Sequence, residues 1–332
     1  MKILITGATG CLGRNLTNKL LSDGQHQIYI TGRNQKIGEI LENQGAVFQN
    51  ADLKDRKTII NLCEDKEIIF HCGALSSPWG KYKDFYGANV LGTQNIIDGC
   101  LKHNVKRLVY VSTPSLYFDF TQKYQISESA ILPKPVNHYV ATKLVAEKLI
   151  DHAFKTYKLP VITIRPRAIF GPYDTAIMPR IINIAKKGKL PLIKGGNALI
   201  DVSYVGNVVD SLILCAGAAD SFLGRKYNIT NDQPIILKDL LQKSFVALGL
   251  DFKPKIISYK MAYLVATLLE IIASVPFVKG EPLLTKYAVG VFGLSQTLNI
   301  DAAKNDLKYK PQINIDEGIQ LYAKWWKEEN IA

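Results

Sequence analysis

Short apolar runs alternate with longer amphipathic stretches through the first half of the chain. Uninterrupted short runs are typical of buried strands, and apolar residues three or four positions apart are typical of helices. The runs predict strands at 2–6, 27–31, 46–50, 67–71, 107–112 and 160–165. Because helical stretches separate these runs, the pattern predicts an α/β fold with a doubly wound parallel sheet.

The first predicted strand runs into a glycine-rich loop and then into an amphipathic helix. Glycines in this setting permit a tight turn and a close approach of the backbone to a pyrophosphate, which the N–H groups at the helix start can bind. A strand-to-helix turn without a ligand is the alternative. We expect a dinucleotide site whose loop contributes Gly7, Thr9, Gly10, Cys11, Leu12 and Gly13.

The end of the second predicted strand bears on the choice of cofactor. A dinucleotide without a 2′-phosphate usually meets an Asp or Glu here, about 20 residues past the glycines. No acidic residue occurs from Gly24 to Gly38, Gly32 stands at the expected position, and Arg33 follows it. Because a guanidinium can pair with a phosphate and stack on adenine, we expect NADP(H). The alternative is NAD(H), with Arg33 a solvated loop residue.

A Tyr and a Lys four positions apart suggest acid–base chemistry. Tyr139 and Lys143 lie in the first turns of a predicted helix and share one of its faces. A phenol beside a fixed ammonium has a lowered pKa, because the positive charge favours the phenolate. Such a phenol can give or take a proton near neutral pH. The plain alternative is an amphipathic helix with an exposed Lys.

The charge balance is basic, but the basic residues are scattered. The 332 residues include 41 Lys and Arg against 29 Asp and Glu, a formal net charge of +12. We therefore expect no nucleic-acid partner, although the excess charge favours an anionic ligand or an anionic membrane surface. The five cysteines include no Cys-x-x-Cys pair, so we expect free thiols and no bound metal. No signal peptide is evident, which favours a cytoplasmic protein.

Seven sequence elements occur in the order found in the extended short-chain dehydrogenase/reductases. They are Thr6-Gly7-x-x-Gly10-x-x-Gly13, Asp52-Leu53, His71-x-Gly73-Ala74, Asn89-x-x-Gly92-Thr93-x-Asn95, Val111-Ser112-Thr113, Tyr139-x-x-x-Lys143 and Arg165-Pro166. Together they are more specific than any one alone. The chain therefore resembles this family, which implies a Rossmann-type sheet with a smaller, mostly helical C-terminal substrate domain.

The resemblance implies roles for the matched residues. Tyr139 would exchange a proton with the substrate oxygen, and Lys143 would bind ribose hydroxyls and lower the Tyr139 pKa. Thr113 would hydrogen-bond the substrate oxygen and orient it for hydride transfer, with Ser112 and Ser115 as nearby alternatives. Further cofactor contacts would come from Asp52, Leu53, Gly73, Ala74, Asn89 and Pro166.

Later segments resemble the 3β-hydroxysteroid dehydrogenase branch. They include Asp201-Val202-Ser203-Tyr204-Val205 and Pro282-Leu283-Leu284-Thr285-Lys286-Tyr287. That branch includes sterol-4-carboxylate 3-dehydrogenases and 2-alkyl-3-oxoalkanoate reductases, which implies a secondary alcohol or ketone on a large apolar molecule. If the substrate carries a carboxylate, Arg167 or Arg180 could face it. Relatives that act on nucleotide sugars would have an Arg where this chain has Ile200.

The apolar stretch 260–277 carries one polar stripe. Tyr263, Thr267, Glu270 and Ser274 recur at helical spacing, which predicts an amphipathic helix over the substrate pocket. This helix could attach to a membrane surface or be buried against its own domain. A membrane span fits the stripe least well. A homodimer is a further open alternative.

These observations predict an NADP(H)-dependent oxidoreductase that interconverts an alcohol and a ketone on a sterol-like or long-chain 2-alkyl-3-oxoalkanoate substrate. We expect residues 1–172 and about 201–230 to form the cofactor domain, and about 173–200 with 231–332 to form the substrate region. The alternatives are a nucleotide-sugar epimerase or dehydratase and a non-catalytic NADP-sensing protein.

Overall fold

The computed structural model describes residues 1–186, 188–275 and 280–331, with side chains described up to residue 329. The strands, in chain order, are β1 (Lys2–Thr6), β2 (Gln27–Gly32), β3 (Val47–Asn50), β4 (Ile68–His71), β5 (Arg107–Val111), β6 (Lys123–Ile126), β7 (Val161–Pro166), β8 (Ile169–Phe170), β9 (Leu190–Ile193), β10 (Leu199–Ile200), β11 (Ser203–Tyr204), β12 (Lys226–Ile229), β13 (Ile235–Ile236), β14 (Pro254–Ile257) and β15 (Gln296–Leu298).

The α-helices, in chain order, are α1 (Cys11–Asp23), α2 (Gln35–Asn43), α3 (Arg56–Leu62), α4 (Tyr82–Phe85), α5 (Gly92–Lys102), α6 (His138–Tyr157), α7 (Met178–Lys186), α8 (Val205–Ala216), α9 (Leu237–Leu248), α10 (Tyr259–Ala273), α11 (Lys286–Gly293), α12 (Asp301–Leu307) and α13 (Ile315–Ile331). A π-helical segment, Tyr86–Leu91, joins α4 to α5.

The central sheet has the strand order β12-β7-β5-β4-β1-β2-β3, and every neighbouring pair is parallel. Side chains alternate between two apolar cores: Ile3 and Ile5 pack toward α1 and α8, whereas Leu4 packs toward α3, α5 and α6. All six predicted strands are present, each with ends within one residue of the prediction. The predicted doubly wound parallel sheet is confirmed.

The parallel arrangement brings the carboxyl ends of the strands to one edge of the sheet. In doubly wound sheets this edge is where ligands bind. The residues that follow the strands at this edge include Gly7, Arg33, Asp52, Thr113 and Arg167. The fold therefore gathers the predicted cofactor loop and the predicted hydroxyl donor on the same side of the molecule.

A second, mixed sheet has the strand order β13-β10-β15-β6. It joins β6, from the first half of the chain, to β15, from near the C-terminus, so chain segments far apart in sequence meet here. The sequence did not predict this sheet, nor β12 at the edge of the central sheet. Three strands of the second sheet, β10, β13 and β15, have only two or three residues, which is too short to show a period. The predicted division into two domains stays a prediction.

Helix α10 has an unusual orientation of its two faces. Tyr263, Thr267 and Glu270 of the predicted polar stripe are half-buried, whereas Leu264, Leu268 and Ile271 on the other side are 56%, 53% and 61% exposed. The apolar face is therefore turned outward, which argues against burial of this helix. Residues 276 and 277 of the predicted stretch lie outside the described residues.

None of the helices in the described ranges has both the length and the apolar character that crossing a bilayer requires.

Candidate active site

Gly7 and Gly73 bring the loop after β1 against the loop after β4. A Cβ added at Gly7 would lie 2.6 Å from the Gly73 Cα, and the Gly7 φ of +67° is itself unfavourable for a larger residue. A Cβ at Gly13 would lie 2.4 Å from the Gly7 carbonyl oxygen, so α1 begins directly against the same loop. The glycines thus let two loops and one helix meet at the edge of the sheet.

Gly10 faces open space instead. A Cβ there would meet only the Gly7 carbonyl oxygen, 3.4 Å away. Helix α1 starts at this point without an acidic residue in its first turn and without a side-chain cap, so its first N–H groups and the positive end of its dipole are available. Loop and helix start therefore fit a dinucleotide pyrophosphate, which the N–H groups of Cys11 and Leu12 would hold.

The loop after β2 affects whether a cofactor with a 2′-hydroxyl or one with a 2′-phosphate would fit. A Cβ at Gly32 would lie 2.4 Å from Thr9 Oγ1, so an acidic side chain at this position would collide with the glycine loop. Arg33 is exposed. The Asn50 amide donates to the Arg33 backbone carbonyl at 3.4 Å and to Gln35 Oε1 at 2.9 Å, and it does not contact the guanidinium. Within the described ranges, the Arg33 guanidinium forms no hydrogen bond or ion pair, which leaves it accessible to an anion.

Asp52 and Leu53 form a turn that α5 holds in place. The Asp52 carboxylate accepts a hydrogen bond from the Lys54 backbone N–H at 3.0 Å and lies 3.3 Å from the Lys54 ammonium. Asn95 donates to the Leu53 carbonyl at 2.8 Å, and a Cβ at Gly92 would lie 2.8 Å from the Leu53 Cβ. Asp52 and Leu53, both predicted to contact the cofactor, thus occupy a fixed, partly exposed turn.

The π-helical segment turns Asn89 toward the loop after β4. Its amide oxygen accepts from the Leu75 N–H at 2.8 Å, and its amide nitrogen donates to the Leu75 carbonyl and to Thr142 Oγ1, both at 3.1 Å. Because both ends of the buried amide are used within the protein, Asn89 acts on the loop that carries Gly73 and Ala74. The predicted contact of Asn89 with the cofactor stays a prediction.

Tyr139 lies in the first turn of α6, where hydroxyl groups surround its phenol. The helix begins at His138, as predicted, because Asn137 caps it by accepting from the Val140 N–H at 2.9 Å. The hydroxyls of Thr113 and Ser76 lie near enough to the Tyr139 phenol to lower its pKa. Burial raises the pKa of the phenol, and the two hydroxyls offset only part of that rise.

A chain of hydroxyls extends from Tyr139 into the C-terminal part of the protein. Thr113 Oγ1 donates to Ser115 Oγ at 3.0 Å, and the Tyr287 hydroxyl of α11 donates to the same oxygen at 2.7 Å. Thr113 thus lies next to the phenol, as the resemblance implied. Sequence reasoning assigned no role to Ser76 or Tyr287: no motif contains Ser76, and Tyr287 lies 172 positions from Ser115.

Lys143 is directed away from the phenol. Its ammonium donates to the Tyr110 hydroxyl at 2.7 Å and to the Val111 carbonyl at 2.8 Å, and the residue is buried. Burial lowers the pKa of Lys143 to about 7, and the Glu147 carboxylate opposes this change. Burial is the largest influence on the Tyr139 phenol and raises its pKa, which is opposite to the direction predicted for it. The predicted contribution of Lys143 to that pKa stays a prediction.

A buried ion pair ties α6 to the central sheet one turn beyond Lys143. Both nitrogens of one side of the Arg165 guanidinium donate to Glu147, which also accepts from Ser112 Oγ at 2.6 Å. Arg165 and Glu147 are each only 3% exposed in their side chains. Removing one partner of such a pair typically costs about 3–5 kcal/mol. The network therefore fixes the helix that carries Tyr139.

The remaining predicted residues belong to the strand ends. His71 is buried between Thr6 Oγ1, 2.7 Å from its Nδ1, and Thr93 Oγ1, 3.1 Å from its Nε2. Burial lowers the pKa of His71 to about 3, so the ring is neutral at physiological pH and serves to join β1, β4 and α5. Pro166, the last residue of β7, is buried opposite Ile229 of β12.

The sequence of this chain is similar to one protein family and to several proteins of named activity. Residues 3–230 match the model of the NAD dependent epimerase/dehydratase family. The chain is similar to the 2-alkyl-3-oxoalkanoate reductase of Stenotrophomonas maltophilia (strain K279a), with 31% identity over 96% of this chain and 98% of that protein. It is also similar to the sterol-4-alpha-carboxylate 3-dehydrogenase, decarboxylating, of Mus musculus, with 30% identity over 96% of this chain and 89% of that protein.

A solved structure shares the fold over the whole chain. The UDP-glucuronic acid 4-epimerase from Bacillus cereus in complex with NAD superimposes with a TM-score of 0.78, covering 99% of both chains at 20% identity. At this level of identity the likeness shows the common fold alone. The two relatives described above, at 31% and 30% identity, are named for reductase and dehydrogenase activities.

Proposed function

Because the chain belongs to the NAD dependent epimerase/dehydratase family and is an NAD(P)-dependent oxidoreductase acting on a CH–OH group, we propose that it reduces a ketone on a large apolar substrate. The substrate class is a long-chain 2-alkyl-3-oxoalkanoate or a sterol-like ketone, as in the names of the two relatives. The reverse reaction oxidises the corresponding secondary alcohol. NADP(H) is the proposed cofactor.

The observation that carries this proposal is the hydroxyl cluster, which consists of Tyr139, Ser76, Thr113, Ser115 and Tyr287. The phenol is protonated at neutral pH, which is the form that a proton donor to a ketone oxygen needs. Thr113, whose hydroxyl lies beside the same phenol, would orient that oxygen. The bound dinucleotide supplies the hydride. Tyr139 then supplies the proton, so that ketone, hydride and proton together give the alcohol.

Arg33 and Gly32 support the choice of NADP(H). The accessible guanidinium could pair with the 2′-phosphate, and the close contact between Gly32 and Thr9 excludes the acidic side chain that would bind a free 2′-hydroxyl. Lys143 would approach ribose hydroxyls with the one N–H that Tyr110 and Val111 leave unused.

A nucleotide-sugar substrate is disfavoured by Ile200. Its side chain is buried in the apolar core, so this position offers no cation to a diphosphate. A non-catalytic NADP sensor is disfavoured because the proton donor Tyr139 and its hydroxyl partners Thr113 and Ser76 are all in place.

NADPH and NADH oxidation against a panel of ketones tests the proposal. The panel contains long-chain 2-alkyl-3-oxo acids, steroid ketones and UDP-sugars. We expect oxidation of NADPH with at least one apolar ketone and none with UDP-sugars. Conversion of a UDP-sugar would support the epimerase or dehydratase alternative. NADPH binding without oxidation by any ketone would support the sensor.

We further propose that the outward face of α10 rests on a bilayer with anionic headgroups. Its apolar side chains could enter the acyl region, while the exposed Lys255 and Lys260, which form no ion pair among the described residues, could meet lipid phosphates. The other face of α10 packs on α11, which carries Tyr287 of the hydroxyl cluster. An apolar substrate could then enter from the lipid.

A further inference from the structure

Arg167 is a buried cation at the carboxyl end of the central sheet. It follows the last residue of β7, and only 5% of it is exposed. Within residues 1–186, 188–275 and 280–329, its guanidinium forms no hydrogen bond or ion pair, and its Nε is enclosed without a partner. Because an unpaired buried charge is costly, a ligand that supplies the missing anion would explain its presence.

The backbone holds Arg167 firmly at this edge. Its N–H donates to the Ile229 carbonyl at 3.0 Å, and its carbonyl accepts from Ser203 Oγ at 2.7 Å. The main chain is therefore fixed by two neighbouring strands, while the side chain has no protein partner. This is the arrangement expected of a side chain prepared for a ligand, since little ordering remains when the ligand binds.

Arg167 has two ionisable neighbours, and one belongs to the hydroxyl cluster. Tyr287, which donates to Ser115 beside Thr113, is the first of them, and it is uncharged at neutral pH because burial raises its pKa. The second is Asp201, whose Oδ2 accepts from the Leu298 N–H at 2.6 Å and whose Oδ1 has no partner. Asp201 forms no ion pair with Arg167, so the guanidinium keeps its hydrogen-bonding capacity beside the reaction site.

Two other arginines are already paired. Arg165 is bound to Glu147, and Arg180, the other candidate, is exposed and donates to Glu281 at 2.8 and 3.1 Å. Of these three arginines, Arg167 is thus the one whose guanidinium is unpaired among the described residues. One such group matches the single charge and planar fork of a carboxylate, whereas a diphosphate would call for more cations.

We propose that Arg167 binds a carboxylate on the apolar substrate and thereby sets the enzyme's preference for keto acids over neutral ketones. This inference rests on the proposed function, because it assigns a substrate group to the same site. The guanidinium would accept the carboxylate through two parallel N–H···O hydrogen bonds while Tyr139 and Thr113 hold the ketone oxygen.

Matched acid and ester substrates test this role. The kinetics of a long-chain 2-alkyl-3-oxo acid and of its methyl ester are measured for the wild-type protein, Arg167→Gln, Arg167→Lys and Arg180→Gln. We expect Arg167→Gln to raise KM for the acid about 10- to 100-fold and to leave the ester within about twofold. Arg167→Lys should recover part of the acid preference, and Arg180→Gln should behave as the wild type.

A binding measurement separates this inference from the proposed reaction. Titration of the NADPH-loaded protein with tetradecanoate and with 1-tetradecanol should show tighter binding of the acid, which Arg167→Gln removes. If this holds without any ketone reduction, the carboxylate site stands and the proposed reaction fails. If ketones are reduced but Arg167→Gln and Arg167→Lys affect acid and ester equally, the carboxylate site is wrong.

Discussion

The Tyr287 hydroxyl donates a 2.7 Å hydrogen bond to Ser115, a residue 172 positions earlier in the chain. Ser115 also accepts from Thr113, whose hydroxyl lies beside the Tyr139 phenol. A helix from the C-terminal part of the chain thus completes the hydroxyl cluster at the carboxyl ends of the central strands. Helix α10 packs on that helix. The helix with the outward apolar face is therefore in contact, through α11, with the hydroxyl cluster.

Replacing Tyr287 by Phe should loosen Thr113 without altering the fold. One neutral hydrogen bond is lost, so we expect kcat/KM to fall about threefold to tenfold, with NADPH affinity and thermal unfolding unchanged. Ser115→Ala should have a similar effect, and the double variant should be no worse than either single variant. Additive losses would show that the two residues act separately.

Replacing Tyr139 by Phe should remove the proton donor. We expect kcat to fall about 10²- to 10⁴-fold, because general acid catalysis is lost, while the Kd for NADPH stays within about twofold. Steady-state kinetics and a fluorescence titration with NADPH measure the two effects. Tyr124→Phe, at an exposed tyrosine on β6, is the control and should match the wild type. Turnover near the wild-type rate in Tyr139→Phe would exclude this role.

Lys143 should make stability depend on pH above neutrality. Burial lowers its pKa from 10.5 to about 7, so between these values the unfolded chain binds more protons than the folded chain. The free energy of unfolding should therefore rise with pH in this window and be lowest near and below pH 7, with a slope of at most about 1.4 kcal/mol per pH unit.

Urea unfolding at pH 7, 8 and 9 measures this slope. The wild type should gain stability relative to Lys143→Met as the pH rises, because the variant lacks the titrating group. The free energy of unfolding of Lys148→Met, at an exposed lysine of the same helix, should change with pH as that of the wild type does. Parallel curves for Lys143→Met would mean that Lys143 keeps its proton in the folded protein throughout this range.

Arg33 should discriminate between the two nicotinamide cofactors. Loss of its charged hydrogen bonds to a 2′-phosphate should raise KM for NADPH about 10- to 100-fold in Arg33→Ala, with KM for NADH within about twofold. Arg225→Ala, which removes an exposed arginine bound to Asp306, is the matched control for charge. Equal effects on both cofactors, or a wild-type protein that prefers NADH, would contradict the assignment.

The outward face of α10 should bind anionic vesicles. We expect the protein to co-sediment with phosphatidylglycerol-containing vesicles, and the triple substitution Leu264→Ser, Leu268→Ser and Ile271→Ser to weaken binding at least about tenfold. Ile131→Ser combined with Val246→Ser, at exposed apolar residues elsewhere, should leave binding unchanged. A dimer in light scattering that only the triple substitution disrupts would assign this face to a second copy instead.

The sequence predicted the elements whose signals are local. The six strands, the glycine loop and the helix that carries Tyr139 each follow from runs or spacings within a few positions. The short strands of the second sheet carry too few residues to show a period. Their partners are set by packing between distant segments, such as β6 against β15.

Parts of the candidate site were beyond sequence reasoning for the same reason. A motif can place Lys143 one helical turn from Tyr139, but only the fold shows that Tyr110 and Val111 take its ammonium. Likewise, the choice between Arg167 and Arg180 depended on which guanidinium finds a carboxylate within the protein. Burial, which causes the rise of the Tyr139 pKa, is a property of the whole fold.

The π-helical segment before α5 contains one residue more than an α-helix needs for the same rotation. A one-residue deletion within 86–91 that restored α-helical geometry would therefore leave the later helix in nearly the same orientation, with Asn95 still at the Leu53 carbonyl and Thr93 still at His71. The wide turn that directs Asn89 at Leu75 would be lost. A protein with a gap of one position here should therefore keep the turn at Asp52 and Leu53 in place but release the loop that carries Gly73 and Ala74.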